Sequence, residues 1–208
     1  KEINPESLYH YFSLQFIPAP ESIFTDAHKI PAGHYFLYDL YSHQFSIHKY
    51  WELSIKNQEK RSKDEWLLIL RDKIEKAVNL WTLSDVPFAC SLSGGLDSST
   101  IVGILSKSGN KNLKTYSLGF AGKDKDGLDE LELARKVSEK WQTEHYEIIV
   151  NPIDVLDDLE KMVYFLDEPY GGGLPSWFVY KEIAKDMKVV LTGTGGDELF
   201  GNYGKYTM

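Results

Sequence analysis

The sequence predicts an α/β fold, a parallel twisted sheet with helices on both faces, preceded by a small N-terminal extension of helix and β-hairpin. Three observations predict it. From Ser62 onward, short apolar runs alternate with longer stretches whose apolar residues recur at three- and four-residue spacing. That alternation marks βαβ units, in which a helix carries the chain between parallel strands. Two of the apolar runs lead into glycine-rich sequence, and open parallel sheets bind ligands at the carboxyl ends of their strands. Residues 1–60 follow neither rule; they are aromatic and punctuated by proline, as in Phe16-Ile17-Pro18-Ala19-Pro20. The expected division is therefore 1–60 for the extension and 61–208 for the α/β domain.

Each element has its own signal. Gly33 to Leu40 and Phe45 to Leu53 read as two strands joined by Tyr41-Ser42-His43-Gln44, a hairpin. Polar residues from Lys56 to Lys63 read as a linker. Ser62 followed by Glu65 is a capping box, in which hydroxyl and carboxylate satisfy free amides of a helix's first turn. Trp66, Leu67, Leu70, Ile74, Ala77, Val78 and Trp81 then fall on one helical face. Val86 to Leu92 is a buried strand. Leu96 to Lys107 is a helix stopped by Gly109. Thr115 to Phe120, His145 to Val150 and Val189 to Thr192 are further strands. Asp129 to Trp141, Asp154 to Leu166 and Ser176 to Lys185 are further helices.

Composition removes whole classes of function. With 208 residues, 42% hydrophobic and 13% aromatic, the chain has the material for a packed core. A formal charge of -8 gives no electrostatic footprint for nucleic acid. No run reaches the roughly 18 apolar residues of a membrane span, and the first residues lack a signal peptide's apolar core. A cytoplasmic protein without a membrane partner is expected. The single cysteine, Cys90, lies in an apolar stretch and reads as a buried small hydrophobe.

The chemistry concentrates at Ser93-Gly94-Gly95-Leu96-Asp97-Ser98-Ser99. A strand ends, glycines turn the chain and a helix begins. The amides at that helix start lack backbone partners and, with the helix dipole, attract an anion. Glycine lets the anion reach the backbone. Asp97 would repel a phosphate unless a divalent cation such as Mg²⁺ lay between them. No lysine follows the glycines, so this is not the Gly-x-x-x-x-Gly-Lys-Ser/Thr loop.

The hexad matches the Ser-Gly-Gly-x-Asp-Ser loop of ATP pyrophosphatases, which cleave ATP between the α and β phosphates. Thr192-Gly193-Thr194-Gly195-Gly196-Asp197-Glu198-Leu199-Phe200-Gly201-Asn202-Tyr203 resembles the second signature of the glutamine-dependent asparagine synthetase family. Lys29 to His34, Tyr35 to Trp51, Thr115 to Phe120, the Glu130, Ala134 and His145 segment, and Asp167-Glu168-Pro169 resemble further family segments, so the likeness runs over the whole chain. The resemblance implies an adenine nucleotide alpha-hydrolase-like fold and a use of ATP and Mg²⁺. Backbone groups of Leu92 and Leu118 would hold adenosine, and Thr192 and Gly193 would flank the ribose and α-phosphate. Ser93, Gly94, Gly95, Asp97, Ser98 and Ser99 would bind pyrophosphate, and Asp97 and Asp197 would bind the metal. The implied reaction adenylates a substrate carboxylate, aspartate by family default, and then uses ammonia from glutamine to form an amide and AMP.

Departures from the pattern qualify those expectations. Thr194 stands where asparagine-forming members carry a catalytic glutamate, which leaves open another carboxylate, such as a sugar precursor. Gly171-Gly172-Gly173 follows Asp167-Glu168-Pro169, where polar substrate contacts belong. Residue 1 is lysine rather than the nucleophilic cysteine of a glutaminase domain, and the chain stops at Met208. A fragment is expected, truncated at its C-terminal end and inactive alone. Its glutaminase domain or other ammonia donor would lie elsewhere, and a homodimer is left open. Two further readings stay alongside: another ATP pyrophosphatase, such as a tRNA-modifying or NAD-forming enzyme, against which the second loop argues, and a non-catalytic ATP-binding module. The six histidines show no metal-ligand spacing, and His145 reads as structural. Asp154, Asp157, Asp158 and Glu160 read as a solvated helix face, the tryptophans as core, and Asp124 to Asp129 as an acidic loop.

Overall fold

A computed structural model describes residues 1–54, 59–110, 112–121, 130–167 and 174–201. The linker from Lys56, the acidic loop, the triple glycine and the end of the second signature fall wholly or partly outside the described residues. The chain divides into two compact units, Lys1–Arg61 with Leu159–Gly173, and Ser62–Asp158 with Leu174–Met208.

The first unit opens with helix α1, Pro5–Leu14, a helix that sequence spacing did not single out. Asn4 caps it, its Oδ1 accepting from the amides of Glu6 at 3.0 Å and Ser7 at 3.3 Å, and proline at the first helical position suits a start whose amide needs no partner. Strands β1, His34–Tyr38, and β2, Phe45–Lys49, form an antiparallel hairpin in the register His34↔Lys49 to Tyr38↔Phe45. Asp39 builds its turn by accepting from the amides of Tyr41 at 2.8 Å and Ser42 at 2.7 Å, and these bonds hold its carboxyl below the usual carboxylate range.

The second unit carries the parallel sheet. Its strands are β3 (Phe88–Ser91), β4 (Lys114–Phe120), β5 (Glu144–Val150) and β6 (Val189–Leu191), in the order β5-β4-β3-β6. All three pairings are parallel. Its helices are α2 (Lys63–Leu80), α3 (Leu96–Lys107), α4 (Glu130–Trp141), the start of α5 (Pro152–Leu166), whose residues from Leu159 on belong to the first unit, α6 (Leu174–Ile183) and α7 (Gly196–Phe200). Period-two alternation along β3 sorts the layers. Cys90 turns to one face, where it packs with Leu92, Val102, Leu105 and Ala134, while Ala89 turns to the other, with Tyr116, Val179 and Ile183. Helices α3 and α4 thus cover one face and α6 the other, with Val78 of α2 completing the first core. The α/β class and the helices on both faces agree with the sequence. Burial pushes the Cys90 thiol up to about 12, so it is an inert part of this core.

Helix α2 has the capping box, with Ser62 Oγ accepting from the Glu65 amide at 3.3 Å and Glu65 Oε2 accepting from the Ser62 amide at 2.8 Å. Its apolar face is wider than its contacts. Only Ile69, Ile74 and Val78 among its large apolar side chains are half-buried, while Trp66 and Trp81 stay 45% and 71% exposed. The expectation that the tryptophans are core is corrected for these two, because a helix against one sheet face buries a stripe, not its whole apolar arc, and Trp51, which follows β2 and lies on no helix, is exposed as well. Trp141 does pack on the core, against Gly103. Asp158 is a second correction. It is 7% exposed rather than solvated, and it accepts from Trp177 Nε1 at 3.1 Å and from Lys181 Nζ, partners that a single-helix pattern cannot reveal.

Candidate functional site

The two glycine loops meet at the carboxyl ends of β3 and β6, which are neighbouring strands. The first loop is closed by its own serines. Ser98, nearly buried, accepts from the Ser93 amide at 3.2 Å, pairs with Ser93 Oγ at 3.1 Å and donates to the Gly95 carbonyl at 3.3 Å. Its hydroxyl is committed to the shape of the turn. Gly95 is the N-cap of α3 and offers no side chain, so the first-turn amides of α3 keep no intrahelical partner. This is the geometry of an anion cradle.

Gly94 has a different task from the one foreseen. It sits at φ +79°, and a Cβ there would come within 2.6 Å of Leu133 Cβ and 2.7 Å of the Ala134 amide nitrogen. The loop therefore lies directly on the backbone of α4. In the second loop, a Cβ on Gly193 would stand 2.9 Å from Asp97 Cβ and 2.9 Å from the Ser98 nitrogen, and a Cβ on Gly196 would run into the Asp97 carboxylate. Asp97 is thus seated between two glycines of the second loop, and Asp197 is the next residue along. Sequence reading missed Leu133, Ala134 and Gly196 as parts of the site. The only available signal for Gly196 was its place before Asp197.

The structure brings Leu92, Ser93, Gly94, Gly95, Asp97, Ser98, Thr192, Gly193 and Thr194 to one end of the sheet. Leu92 ends β3 with its amide donating to the Tyr116 carbonyl at 2.8 Å, and Ser117 Oγ, also unforeseen, donates to the Leu92 carbonyl. Pairing of β3 with β4 stops at Ser91↔Tyr116, whereas β4 runs on beside β5 to Phe120. The period of two that turns the Tyr116 carbonyl toward Leu92 turns the backbone N–H and C=O of Leu118 to that same side, past the point where β3 has left. Ser99 differs from the others. It lines a groove of about 840 Å³ between α2 and α3, with Leu67, Leu70, Ile104 and Trp141, and its Oγ is buried without a hydrogen-bond partner.

Thr194 lies on the exposed rim. Its hydroxyl accepts from Thr192 Oγ1 at 2.9 Å, and its amide donates to that same oxygen at 3.3 Å. His145 stands at the other end of the sheet, at the start of β5. Its Nδ1 is 2.9 Å from Thr115 Oγ1 and its Nε2 is 3.8 Å from Glu147 Oε1. Among the described residues no group of three or more His, Cys, Asp or Glu could hold a metal ion. A cation here would need phosphate or water oxygens beside the carboxylates of Asp97 and Asp197. Among the described residues no helix is long and apolar enough to cross a membrane.

Comparison with known proteins agrees with the loops. A Methanocaldococcus jannaschii protein that carries a provisional name as asparagine synthetase (glutamine-hydrolysing) 2 is 36% identical over 208 residues, covering 98% of this chain and 39% of that protein. Asparagine synthetase (glutamine-hydrolysing) 1 of Bacillus subtilis is 33% identical over 214 residues, covering 99% of this chain and 32% of that protein. The chain thus spans roughly a third to two fifths of the length of these relatives. Among solved structures, the NH₃-dependent NAD synthetase from Campylobacter jejuni is similar at a TM-score of 0.42 and 19% identity, over 69% of this chain and 62% of that one. The family model described as asparagine synthase matches residues 69–208. With that match over most of the α/β unit and relatives above the 30% level along nearly its whole length, the chain belongs to the asparagine synthase family, a family of amide-forming ligases.

Proposed function

We propose that this chain is the ATP-binding, amide-forming region of a glutamine-dependent ligase. The observation that supports it best is the junction itself. Asp97 of the first loop is held between Gly193 and Gly196 of the second, so the anion cradle at the start of α3 and the loop that carries Asp197 meet at Asp97. The residues fit the groups the family uses. Backbone groups of Leu92 and Leu118 face the adenosine, and Thr192 and Gly193 flank the ribose and α-phosphate. The amides that begin α3, with Ser93, Gly94, Gly95 and Ser98 around them, hold the pyrophosphate, while Ser99, expected beside them, lines the groove between α2 and α3 and its amide donates to the Gly95 carbonyl. Asp97 and Asp197 would hold Mg²⁺, which would supply charge neutralisation for the pyrophosphate.

The chain's contribution is positioning and charge neutralisation. A carboxylate oxygen of the substrate attacks the α-phosphorus. The bond from that phosphorus to the bridging oxygen breaks, and pyrophosphate leaves, giving an acyl-adenylate. Ammonia released from glutamine by another part of the protein attacks the acyl carbon. The carbon–oxygen bond to AMP breaks, a proton is lost and an amide remains. Aspartate, giving asparagine, is the acid that the relatives' names suggest. Thr194 favours a second reading, a different carboxylate, because it puts a neutral hydroxyl where asparagine-forming members carry a glutamate.

Two measurements test this. Calorimetry of Mg·ATP with the wild-type chain and Asp97→Ala is expected to show binding that the variant weakens 10-fold or more, about 1.4 kcal/mol. Full-length protein given glutamine, ATP and an acid is expected to release AMP, pyrophosphate and an amide in equal amounts. Release of ADP and phosphate instead would refute cleavage between the α and β phosphates.

A further inference from the structure

We infer that Ser117 is a positioning residue for nucleotide binding: its hydroxyl takes the Leu92 carbonyl out of the ladder between β3 and β4 and so keeps the Leu118 edge open for the base of ATP; this rests on the proposed ATP-dependent reaction. Ser117 stands opposite Leu92, one step past the Ser91↔Tyr116 pair at which the two strands stop pairing. It is 3% exposed, so water cannot stand in for its hydroxyl. Its Oγ donates to the carbonyl of Leu92, a residue that is itself fully buried.

The register shows what this bond replaces. In a parallel ladder a residue donates to the residue before its partner and accepts from the residue after it. Leu92 keeps the first half, its amide donating to the Tyr116 carbonyl at 2.8 Å. The second half would run from the Leu118 amide to the Leu92 carbonyl. Pairing has ended there, and the Ser117 hydroxyl holds that carbonyl instead. Leu118 therefore presents its N–H and C=O side by side on the stretch of edge that β3 has left. Adenine offers the complementary pair, an amino group that donates beside a ring nitrogen that accepts.

The same peptide is held from its other end. A trans peptide is planar, with its C=O and N–H pointing in opposite directions. The unit that carries the Leu92 carbonyl also carries the Ser93 amide, which donates to Ser98 Oγ at 3.2 Å. Two buried serines, Ser117 on β4 and Ser98 on α3, thus fix one peptide plane where the strand becomes the glycine loop. Ser98 acts on the phosphate side and Ser117 on the base side. The Leu92 carbonyl keeps a second lone pair for the adenosine. Without the Ser117 hydroxyl it is a buried acceptor in want of a donor, which is costly, and the next donor in register is the Leu118 amide. Taking that amide closes the edge.

The test uses the full-length protein with Ser117→Ala, Ser117→Val and Ser117→Thr, titrated by calorimetry with Mg·ATP and with Mg·tripolyphosphate, which has the phosphates and no base. Ser117→Ala and Ser117→Val are expected to weaken ATP binding about 10-fold or more and to leave tripolyphosphate within about 2-fold of wild type. Ser117→Thr has the outline of valine and keeps the hydroxyl, so the cost of the added methyl group cancels between the two. It is expected to bind ATP about 5-fold or more tightly than Ser117→Val, and this pair decides the matter if Ser117→Ala is too unstable to titrate. Hydrogen exchange at the Leu118 amide gives a readout without nucleotide, expected to be about 10-fold or more slower in Ser117→Ala and Ser117→Val than in wild type and Ser117→Thr. Equal losses of ATP and tripolyphosphate, Ser117→Thr no better than Ser117→Val, or an unchanged Leu118 exchange rate would overturn the inference. Wild-type protein that binds neither ligand would count against the proposed function instead, and the exchange rates would still decide whether Ser117 holds the edge open.

Discussion

The two glycine loops look alike in the sequence and do opposite things in the structure. In the first, Gly94 is needed by the fold: it holds a left-handed backbone and lies on the backbone of α4. In the second, Gly193 and Gly196 are needed by the site, because their missing side chains seat Asp97, while Gly195 has nothing within 4 Å and is needed only for its turn at φ +97°. A run of glycines thus mixes three physical reasons, namely packing, approach to a functional group and backbone handedness. Each predicts a different consequence of adding a methyl group.

Gly94→Ala should be the most damaging. It combines left-handed strain of about 1–2 kcal/mol with overpacking of about 1–3 kcal/mol against a helix backbone that cannot rotate away. A lowered urea midpoint together with loss of nucleotide binding is the expected outcome, and a midpoint within error of wild type would break the distinction between the loops. Gly193→Ala should follow, at about 1–3 kcal/mol, since it presses on Asp97 Cβ and the Ser98 nitrogen without left-handed strain. Its mark should be a weakening of Mg·ATP binding larger than the stability loss alone accounts for, read by calorimetry on folded protein. Gly195→Ala meets open space, so only the backbone term of about 1 kcal/mol remains. Thermal melts that place it level with Gly193→Ala would show that strain, not contact, rules the second loop.

The smallest effect lies at the far end of the sheet. Burial holds the His145 imidazole below its ordinary value of 6.5, with Glu147 opposing and Arg135 adding to the shift. A lowered histidine value means that the unfolded chain takes up the proton first, so stability is complete above about 6.5 and declines as the pH falls from there toward the folded value. Glu147, held down chiefly by its hydrogen bond from Arg135, titrates below 4.5 and leaves the window above about pH 5 to His145. The dependence of stability on pH between 7.5 and 5 should flatten in His145→Gln, with nucleotide binding unmoved.

Legibility differed by the range of the interaction involved. Helix α3 was readable to its ends, because the glycine turn before Leu96 and Gly109 after the last turn are local signals. The capping box at Ser62 and Glu65 was readable for the same reason. Burial on α2 was not. Its apolar arc predicts a buried face, yet Trp66 and Trp81 stand largely exposed because only Ile69, Ile74 and Val78 among its large apolar side chains reach cover. Asp158 failed in the other direction: four acidic positions on one helix look solvated until Trp177 and Lys181, some twenty residues later, close over one of them.

By itself the sequence determined the alternation of strand and helix, the parallel sheet that follows from it and the two loops at which the family is recognisable, because these depend on period, turn chemistry and residue type at short spacing. Tertiary structure alone decided that Asp97 sits between Gly193 and Gly196, that α4 backs Gly94 and that β4 outruns β3 at Leu118. Those facts join residues as far apart as 97 and 196. Contacts of that span arise only when helices pack on a sheet, and no local pattern along the chain records them.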